Sequence, residues 1–207
     1  MKTMSYAVTV LLLLMSASTY ADGLGDLQRF YSEIRSYSAS FEQVVVDENL
    51  KLLEASSGEF SIERPGKFRW HYTKPSEQLI IGNGRQVWIY DVELEQITHR
   101  TSDAAVSQTP AMLLSGKGNL DDSFILEDAG QRDGLDWVRM IPKIKDSGFT
   151  DVRIGFLKGK LQLLEMKDNF GQSTRMNFKN IKENLDIPEG IFTFVPPAGV
   201  DVIEEAG

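Results

Sequence analysis

The chain has 207 residues, of which 22 are basic and 30 acidic, so its formal net charge at neutral pH is −8. A chain this acidic is a poor partner for nucleic acid phosphates and for anionic membrane surfaces. The sequence contains no cysteine, which excludes disulfides, thiol catalysis and a lipid-modified N-terminal cysteine. Length and composition together favour a single globular domain.

Residues 1–21 have the pattern of a cleaved secretory signal peptide. Lys2 supplies a positive charge, residues 7–15 form an apolar stretch, and TYA at 19–21 is a small-x-small cleavage site. A retained membrane anchor is the alternative, but the apolar stretch is short for a transmembrane helix. We therefore predict one exported domain over residues 22–207. Without a lipid anchor this protein is expected in the periplasm, with untethered secretion as the alternative.

The periodicity of apolar residues predicts one helix followed mainly by strands. Apolar side chains recur at helical spacing between Asp22 and Tyr37 and indicate an amphipathic helix. Eleven segments rich in β-branched and aromatic residues then read as strands joined mostly by short hairpins. They cover residues 38–46, 54–64, 67–73, 78–81, 86–90, 95–100, 123–127, 136–141, 150–157, 160–167 and 173–182.

Two short helices are predicted between the sixth and seventh strands. Ser102 or Asp103 offers one N-cap, and Thr109 followed by Pro110 offers a second, for a helix that ends near Gly116. A long antiparallel meander curls into a barrel or an open half-barrel. We predict a mainly β fold, an unclosed antiparallel half-barrel of about 11 strands that is covered by about three helices. A sheet of that size has more concave surface than its side chains readily fill, so an apolar cavity is expected.

Sequence signatures of catalysis are lacking. His71 and His99 fall on separate predicted strands, and no His/Asp/Glu cluster has the spacing of metal ligands. Neither a G-x-S-x-G elbow nor a phosphate-binding loop is present. A carboxylate pair from distant strands stays open as an alternative. We expect a protein that is not an enzyme, with no catalytic residue, no metal and no cofactor.

The segment GEFSIERPGKFRWHYTKP, residues 58–75, has the most informative apolar pattern. Its apolar residues alternate with a period of two on each side of a Pro-Gly turn, and Arg64 has the parity of the apolar face. The apolar residues are Phe60, Ile62, Phe68, Trp70 and Tyr72. One interpretation is an ordinary core with a solvated arginine. The other is a ligand space, with Arg64 pointing inward and donating to helix-end carbonyls.

Four stretches of the sequence resemble the LolA family of periplasmic lipoprotein carriers, and the likeness covers nearly the whole mature chain. They are SYSASFEQ (36–43), GEFSIERPGKFRWHYTKP (58–75), TPAMLLSG (109–116) and FTFVPPAGVDV (192–202). One departure lies after WIY, where many relatives have Asp-Pro or Asn-Pro and this chain has Asp91 followed by Val92. The shape of that loop is therefore not given by the resemblance.

The resemblance implies a half-barrel of 11 strands with a helical lid and an apolar cavity for lipoprotein acyl chains. It implies that Arg64 holds the lid closed and that Phe68 lies near the cavity mouth. We take the face that carries Phe60 and Trp70 as the inner one. The residues expected to bind lipid are then Phe41, Phe60, Ile62, Phe68, Trp70, Tyr72, Trp88, Tyr90, Met112 and Leu113. Those expected in the lid are Leu27, Tyr31, Ile34 and Leu114.

The partners that the resemblance implies are acylated lipoproteins, an inner-membrane ABC transporter that releases them, and the outer-membrane receptor LolB. The protein is expected to be a monomer that binds no nucleic acid and does not insert stably into membranes. Three alternatives stay open at this point. They are a sensor or carrier of other lipids or glycolipids, a lipid hydrolase, and an outer-membrane barrel, which the short polar-rich strands disfavour.

Overall fold

The computed structural model describes residues 22–101, 110–116, 120–144 and 148–204. The predicted signal peptide and the helix start at Ser102 or Asp103 lie outside these residues. The helices are α1 (Gly23–Ser32), α2 (Pro110–Ser115) and α3 (Leu120–Ser123), with a 3₁₀ turn at Glu189–Phe192. The strands are β1 (Ser36–Val46), β2 (Leu52–Glu63), β3 (Lys67–Lys74), β4 (Gln78–Asn83), β5 (Gln86–Asp91), β6 (Gln96–Thr101), β7 (Phe124–Arg132), β8 (Leu135–Pro142), β9 (Phe149–Leu157), β10 (Lys160–Asp168), β11 (Ser173–Glu183) and β12 (Asp201–Glu204).

Helix α1 is shorter than the sequence predicts. It starts where expected, because the Asp22 carboxylate accepts a hydrogen bond from the Gly25 N–H at 2.9 Å and so caps the first turn. It ends at Ser32 rather than near Tyr37. The reason is that Tyr37 already belongs to β1, where it pairs with Ile62 of β2 and with Glu183 of β11. Pairing on both sides of β1 overrides the helical periodicity there.

All twelve strands form one unclosed sheet in the order β12-β6-β5-β4-β3-β2-β1-β11-β10-β9-β8-β7. Strands β7 and β12 are its two edges, and β1 joins the two halves by pairing with β2 and β11. The eleven predicted strands are all present, and these neighbours are antiparallel, but β7 continues to Arg132 although the prediction ends it at residue 127. The sequence reading missed β12, which has only four residues and pairs with β6 in parallel.

The inner face of the sheet holds the main hydrophobic core. Helix α1 lies against β7 to β10, and α2 lies against β2 and β3, so the helices cover different parts of this face. Leu27, Phe30 and Ile34 come from α1 and the residues after it, and each is at most 2 % exposed. The core therefore lies between one curved sheet and a cover made of separate helices.

The outer face of β4 to β6 has an apolar layer of its own. In the β4–β5 and β5–β6 registers, Ile81 pairs with Trp88 and Tyr90 pairs with Ile97, so all four share the face opposite to the main core. Phe194 covers them, with its ring 6.3 Å from that of Trp88 and 5.8 Å from that of Tyr90. The segment between β11 and β12 thus packs on the outside of the sheet.

A buried glycine makes room for one of the predicted lipid-binding aromatics. Gly82 pairs with Phe68 across β3 and β4, and a Cβ at position 82 would overlap the Phe68 ring. We expect Gly82→Ala to lower the free energy of unfolding by about 1–3 kcal/mol, because the ring would have to leave its place. Urea unfolding measures this change.

The matched control for Gly82→Ala is Gly190→Ala. An added Cβ at position 190 meets no atom within 4 Å, so we expect a change in stability of less than about 0.5 kcal/mol. Equal stability of the two variants would contradict the packing of Phe68 over Gly82.

Candidate functional site

Arg64 connects two helices of the cover. Its side chain extends from the end of β2, where Nη1 donates to the Ile34 carbonyl at 2.5 Å and Nη2 donates to the Leu114 carbonyl at 2.8 Å. Ile34 follows the end of α1, and Leu114 lies in the last turn of α2. The guanidinium carbon also lies 4.6 Å from the Phe30 ring centroid and 5.0 Å from that of Tyr31. Those distances allow cation–π attraction, which helps a buried arginine to stay charged.

Three successive carbonyls at the end of α2 all accept hydrogen bonds from outside the helix. The Tyr31 hydroxyl donates to Leu113 at 2.6 Å, Arg64 donates to Leu114, and the Gly66 N–H donates to Ser115 at 3.3 Å. The last carbonyls of a helix have no partner within it, so they are natural acceptors for such donors. We call these three donors and their acceptors the lid latch.

Gly116 ends α2 and leaves space for the latch. Its φ is +69°, the left-handed conformation that commonly follows the last residue of a helix and that glycine adopts without strain. A Cβ at this position would overlap Nε of Arg64. The glycine is therefore required both by its backbone conformation and by the close approach of the guanidinium.

Helix α1 has polar anchors apart from the latch. Arg29 donates to the Gly159 carbonyl at 2.8 Å and to the Glu183 carboxylate at 3.1 Å. These bonds fix α1 to the β9–β10 turn and to the end of β11. Helix α2 is held by the latch donors and by its side chains Leu113 and Leu114, which are buried in the main core. The Arg29 anchors of α1 are separate from these contacts.

Burial changes the acid–base behaviour of the latch. It raises the pKa of the Tyr31 hydroxyl above its usual value of 10.0, and the positive charge of Arg64 opposes this only in part. Burial also lowers the pKa of Arg64 from its usual 12.5. Arginine is nevertheless protonated at any physiological pH, so the latch at neutral pH joins a charged guanidinium and a neutral phenol to neutral carbonyls.

Most of the predicted lipid-binding residues share the inner face of the sheet. The Trp70 ring lies 4.3 Å from that of Phe60 and 5.2 Å from that of Phe41, and Tyr72 lies 5.1 Å from Phe41. Ile62 is fully buried in the same core, as is Leu114 of the predicted lid, while Leu113 is 8 % exposed. In this closed conformation the aromatic side chains fill the interior with one another.

Two of the predicted site residues are placed differently, and a third falls outside the description. Trp88 and Tyr90 were assigned to the lipid-binding face, and this is wrong. The β4–β5 register puts both on the outer face under Phe194, because the inner face of β5 is supplied by Val87 and Ile89. Met112 lies in α2, but its side chain falls outside the part of the structure that is described.

Phe68 is not at an open mouth in this conformation. Its side chain is 1 % exposed, and its ring lies over Gly82 on the inner face. Because α2 lies against β3, the helix covers the part of the sheet that carries this residue. Phe68 would become accessible only if α2 moved away.

An open groove of about 550 Å³ lies beside the latch, between α1 and the segment that contains α3. Its lining is mixed, with apolar and polar side chains. The lining residues include Leu24, Leu27, Gln28, Tyr31, Leu120 and Leu126. Tyr31 thus contributes its hydroxyl to the latch and its ring to the groove, so a ligand that enters here meets the latch.

Neither a metal site nor a spanning helix is found in the described part of the chain. Its His, Asp and Glu side chains form no group of three that could hold a metal ion. No helix within those residues is long and apolar enough to cross a membrane. The site is therefore built from aromatic rings, aliphatic side chains and a few hydrogen bonds.

An unclosed β-sheet with an aromatic concave face and a latched helical cover defines a half-barrel with a closable interior. The sequence pattern of the family described as "Outer membrane lipoprotein carrier protein LolA" matches residues 32–195. This match covers most of the chain, and the chain belongs to that family.

The sequences of curated relatives align with this chain over most of their length. An outer-membrane lipoprotein carrier protein from Nitrosospira multiformis is 42 % identical over 201 residues, which cover 97 % of each chain. One from Methylococcus capsulatus is 45 % identical over 179 residues, or 86 % of each chain.

Two solved structures have a similar fold. A LolA superfamily protein from Nitrosomonas europaea has a TM-score of 0.50 at 12 % identity, with 86 % of this chain and 99 % of that chain covered. An uncharacterized conserved protein from Thermus thermophilus has a TM-score of 0.55 at 12 % identity, with 88 % and 97 % covered. At this identity the likeness concerns the fold alone.

The sequence reading identified Arg64 but missed the other donors of the latch. Tyr31 was assigned to the lid only for its apolar ring, and the backbone N–H of Gly66 was not considered. A signal for both was present, because the glycine at 116 marks a helix end whose carbonyls need donors. Which donors reach them depends on the turn between β2 and β3, and this is not visible in the sequence.

The burial of Tyr31 in the latch predicts that the stability of the fold falls at alkaline pH, and Tyr31→Phe should reduce this fall. Burial raises the pKa of Tyr31, Tyr37 and Tyr72, so above about pH 10 the unfolded chain loses protons that the folded chain keeps. Their contribution to stability is therefore complete below pH 10 and is lost as the pH rises further.

Tyr31→Phe should make the alkaline loss of unfolding free energy shallower by up to about 1.4 kcal/mol per pH unit, because one titrating group is removed. At neutral pH the variant should lose about 1 kcal/mol, since the Leu113 carbonyl loses its partner. Urea unfolding at several pH values measures both changes. An unchanged alkaline slope would contradict the burial of a neutral phenol in the latch.

Proposed function

We propose that this protein carries lipoproteins through the periplasm by enclosing their acyl chains between the inner face of its sheet and α2. The observation that supports this most directly is the position of Arg64, which bonds the ends of two helices above an aromatic interior. Proteins named outer-membrane lipoprotein carriers that share about two fifths of the sequence support the same function. The role is binding and transfer, with no reaction catalysed.

The chemistry of acyl chains explains why a carrier needs an apolar interior that can open and close. A tri-acylated anchor has roughly forty methylenes, each of which favours apolar surroundings by about 0.8 kcal/mol. Such an anchor does not cross water uncovered. A carrier has to enclose the chains and yet release them, so its affinity has to stay below that of a membrane. An interior that the protein can fill with its own side chains meets both needs.

We assign the residues that contact lipid to the inner face. They are Phe41, Phe60, Ile62, Phe68, Trp70, Tyr72 and Leu113, with Leu27, Tyr31, Ile34 and Leu114 in the cover. Loading separates α2 from the sheet and breaks the bonds of Arg64, which costs a few kcal/mol and offsets part of the acyl burial. Unloading restores these bonds. The latch thus makes the empty protein more stable and lowers the net affinity for cargo.

The route of the cargo follows from the same proposal. The chain would be exported, cleaved after Ala21 and active as a single domain over residues 22–207. It would receive lipoproteins from an ABC transporter of the inner membrane and pass them to the receptor LolB at the outer membrane. It would act as a monomer, since one sheet and its own helices enclose the interior.

The first test is a displacement experiment with the purified mature protein. Anilinonaphthalene sulfonate, whose fluorescence rises in apolar surroundings, serves as the probe. A synthetic tri-acylated lipopeptide should displace it, and the same peptide without acyl chains should not. Equal behaviour of the two peptides would mean that the aromatic interior is an ordinary core and would overturn the carrier function.

The second test removes the latch cation. Arg64→Leu should still load cargo but transfer it at least about tenfold more slowly, because losing as little as 1.4 kcal/mol of closure energy has that effect. Transfer from the loaded variant to vesicles that carry the receptor measures this rate.

Arg85→Leu is the control for Arg64→Leu, since it removes an exposed arginine from the β4–β5 turn. It should transfer cargo at the rate of the unmodified protein. Normal transfer by Arg64→Leu would show that closure does not help to expel the acyl chains.

A further inference from the structure

Apart from Nε of Arg64 in the latch, the inner face carries two buried polar side-chain atoms that have no hydrogen-bond partner within the described structure. They are Nε1 of the Trp70 indole and the Ser56 hydroxyl oxygen. Trp70 is 1 % exposed and Ser56 is 7 % exposed, so water does not readily replace the missing partners. A buried donor without an acceptor costs about 1–3 kcal/mol, and such groups are rare in folded proteins.

The Trp70 N–H makes no hydrogen bond within the described structure. The ring contacts Phe41 and Phe60, which are purely apolar. The third ring, Tyr72, stacks at 6.3 Å and donates its hydroxyl proton to the Gln43 side chain at 3.1 Å. A phenylalanine would supply a similar aromatic surface without the unpaired donor. The indole is thus poorly suited to a purely structural role.

The polarity of the inner face changes along β2. Along β2, Arg64 and the latch lie at one end, Phe60 is opposite Trp70 in the middle, and Ser56 is opposite Gln43 towards the β1–β2 hairpin. The first part is apolar and covered by α2, whereas the hairpin part includes hydroxyl and amide groups. The Trp70 indole lies in the apolar part, and Phe41 and Tyr72 lie between it and the pair of Ser56 and Gln43.

We propose that the Trp70 N–H is a binding group for the ester carbonyl oxygen of an acyl chain. This inference rests on the proposed carrier function and adds which part of the cargo is recognised and in which orientation. An ester is an acceptor without a donor, and the indole is a donor without an acceptor. Acyl chains would then extend from Trp70 towards α2, and the peptide would lie towards Ser56.

The test compares two synthetic lipopeptides that differ only in the linkage of their hexadecyl chains. One has ester linkages and the other has ether linkages, which lack the carbonyl. Titration with each gives the ratio of the two affinities, and this ratio is the quantity of interest. In the unmodified protein the ester form should bind about fivefold more tightly, as expected for one net hydrogen bond.

Trp70→Phe should abolish this preference, so that the affinity ratio falls about fivefold. Phe41→Leu is the matched control, because it changes packing against the same ring without touching a polar group. It should weaken both ligands and leave their ratio unchanged. An unchanged ratio in Trp70→Phe, or no ester preference in the unmodified protein, would overturn the assignment of Trp70.

The two proposals fail in different ways in this experiment. If the unmodified protein bound neither lipopeptide, the carrier function itself would be wrong. If it bound both equally, the carrier function would be supported and the proposed role of the Trp70 indole would be wrong.

Discussion

The closed structure depends on one cation and the carbonyls that it joins. Burying a guanidinium is costly unless its donors are satisfied. In Arg64 both terminal nitrogens are paired, with the carbonyls of Ile34 and Leu114, while Nε has no partner in the described structure. Both acceptors lie near helix ends, where backbone carbonyls lack partners of their own. A lysine would place a point charge there and would not reproduce the planar fork that faces two helices at once. The arginine therefore sets the position of α2 relative to α1.

Contacts elsewhere in the fold hold α1 and the sheet in place independently of Arg64. Arg29 fixes α1 to the far half of the sheet, and Tyr37 reinforces that half by donating to the Leu161 carbonyl at 2.9 Å. On the outer face, Phe194 covers β5, so this part of the sheet is packed on both sides. With these parts fixed, the proposed opening of the latch would move mainly α2. A short helix attached to a rigid sheet suits the proposed exchange between open and closed states.

Much of the fold was predictable because each strand carries its own signal. Eleven strands show alternation or turn residues that act locally, and each was predicted, although the second half of β7 was not. What failed depended on pairing between distant segments. The end of α1 is set by the pairing of Tyr37 with β2 and β11, and β12 exists only because β6 offers an edge. The face of Trp88 likewise follows from a register and from the cover by Phe194, neither of which is encoded near that residue.

The filled interior gives the energetics of transfer a physical basis. The rings of Phe41 and Phe60 both contact that of Trp70. Under the proposed function, an entering acyl chain would replace contacts that the protein already makes. The net gain on loading would then be smaller than the burial of the chain alone, because these contacts and the latch would both be lost. Competition between the cargo and the protein's own side chains would thus keep the affinity moderate and favour unloading to a receptor.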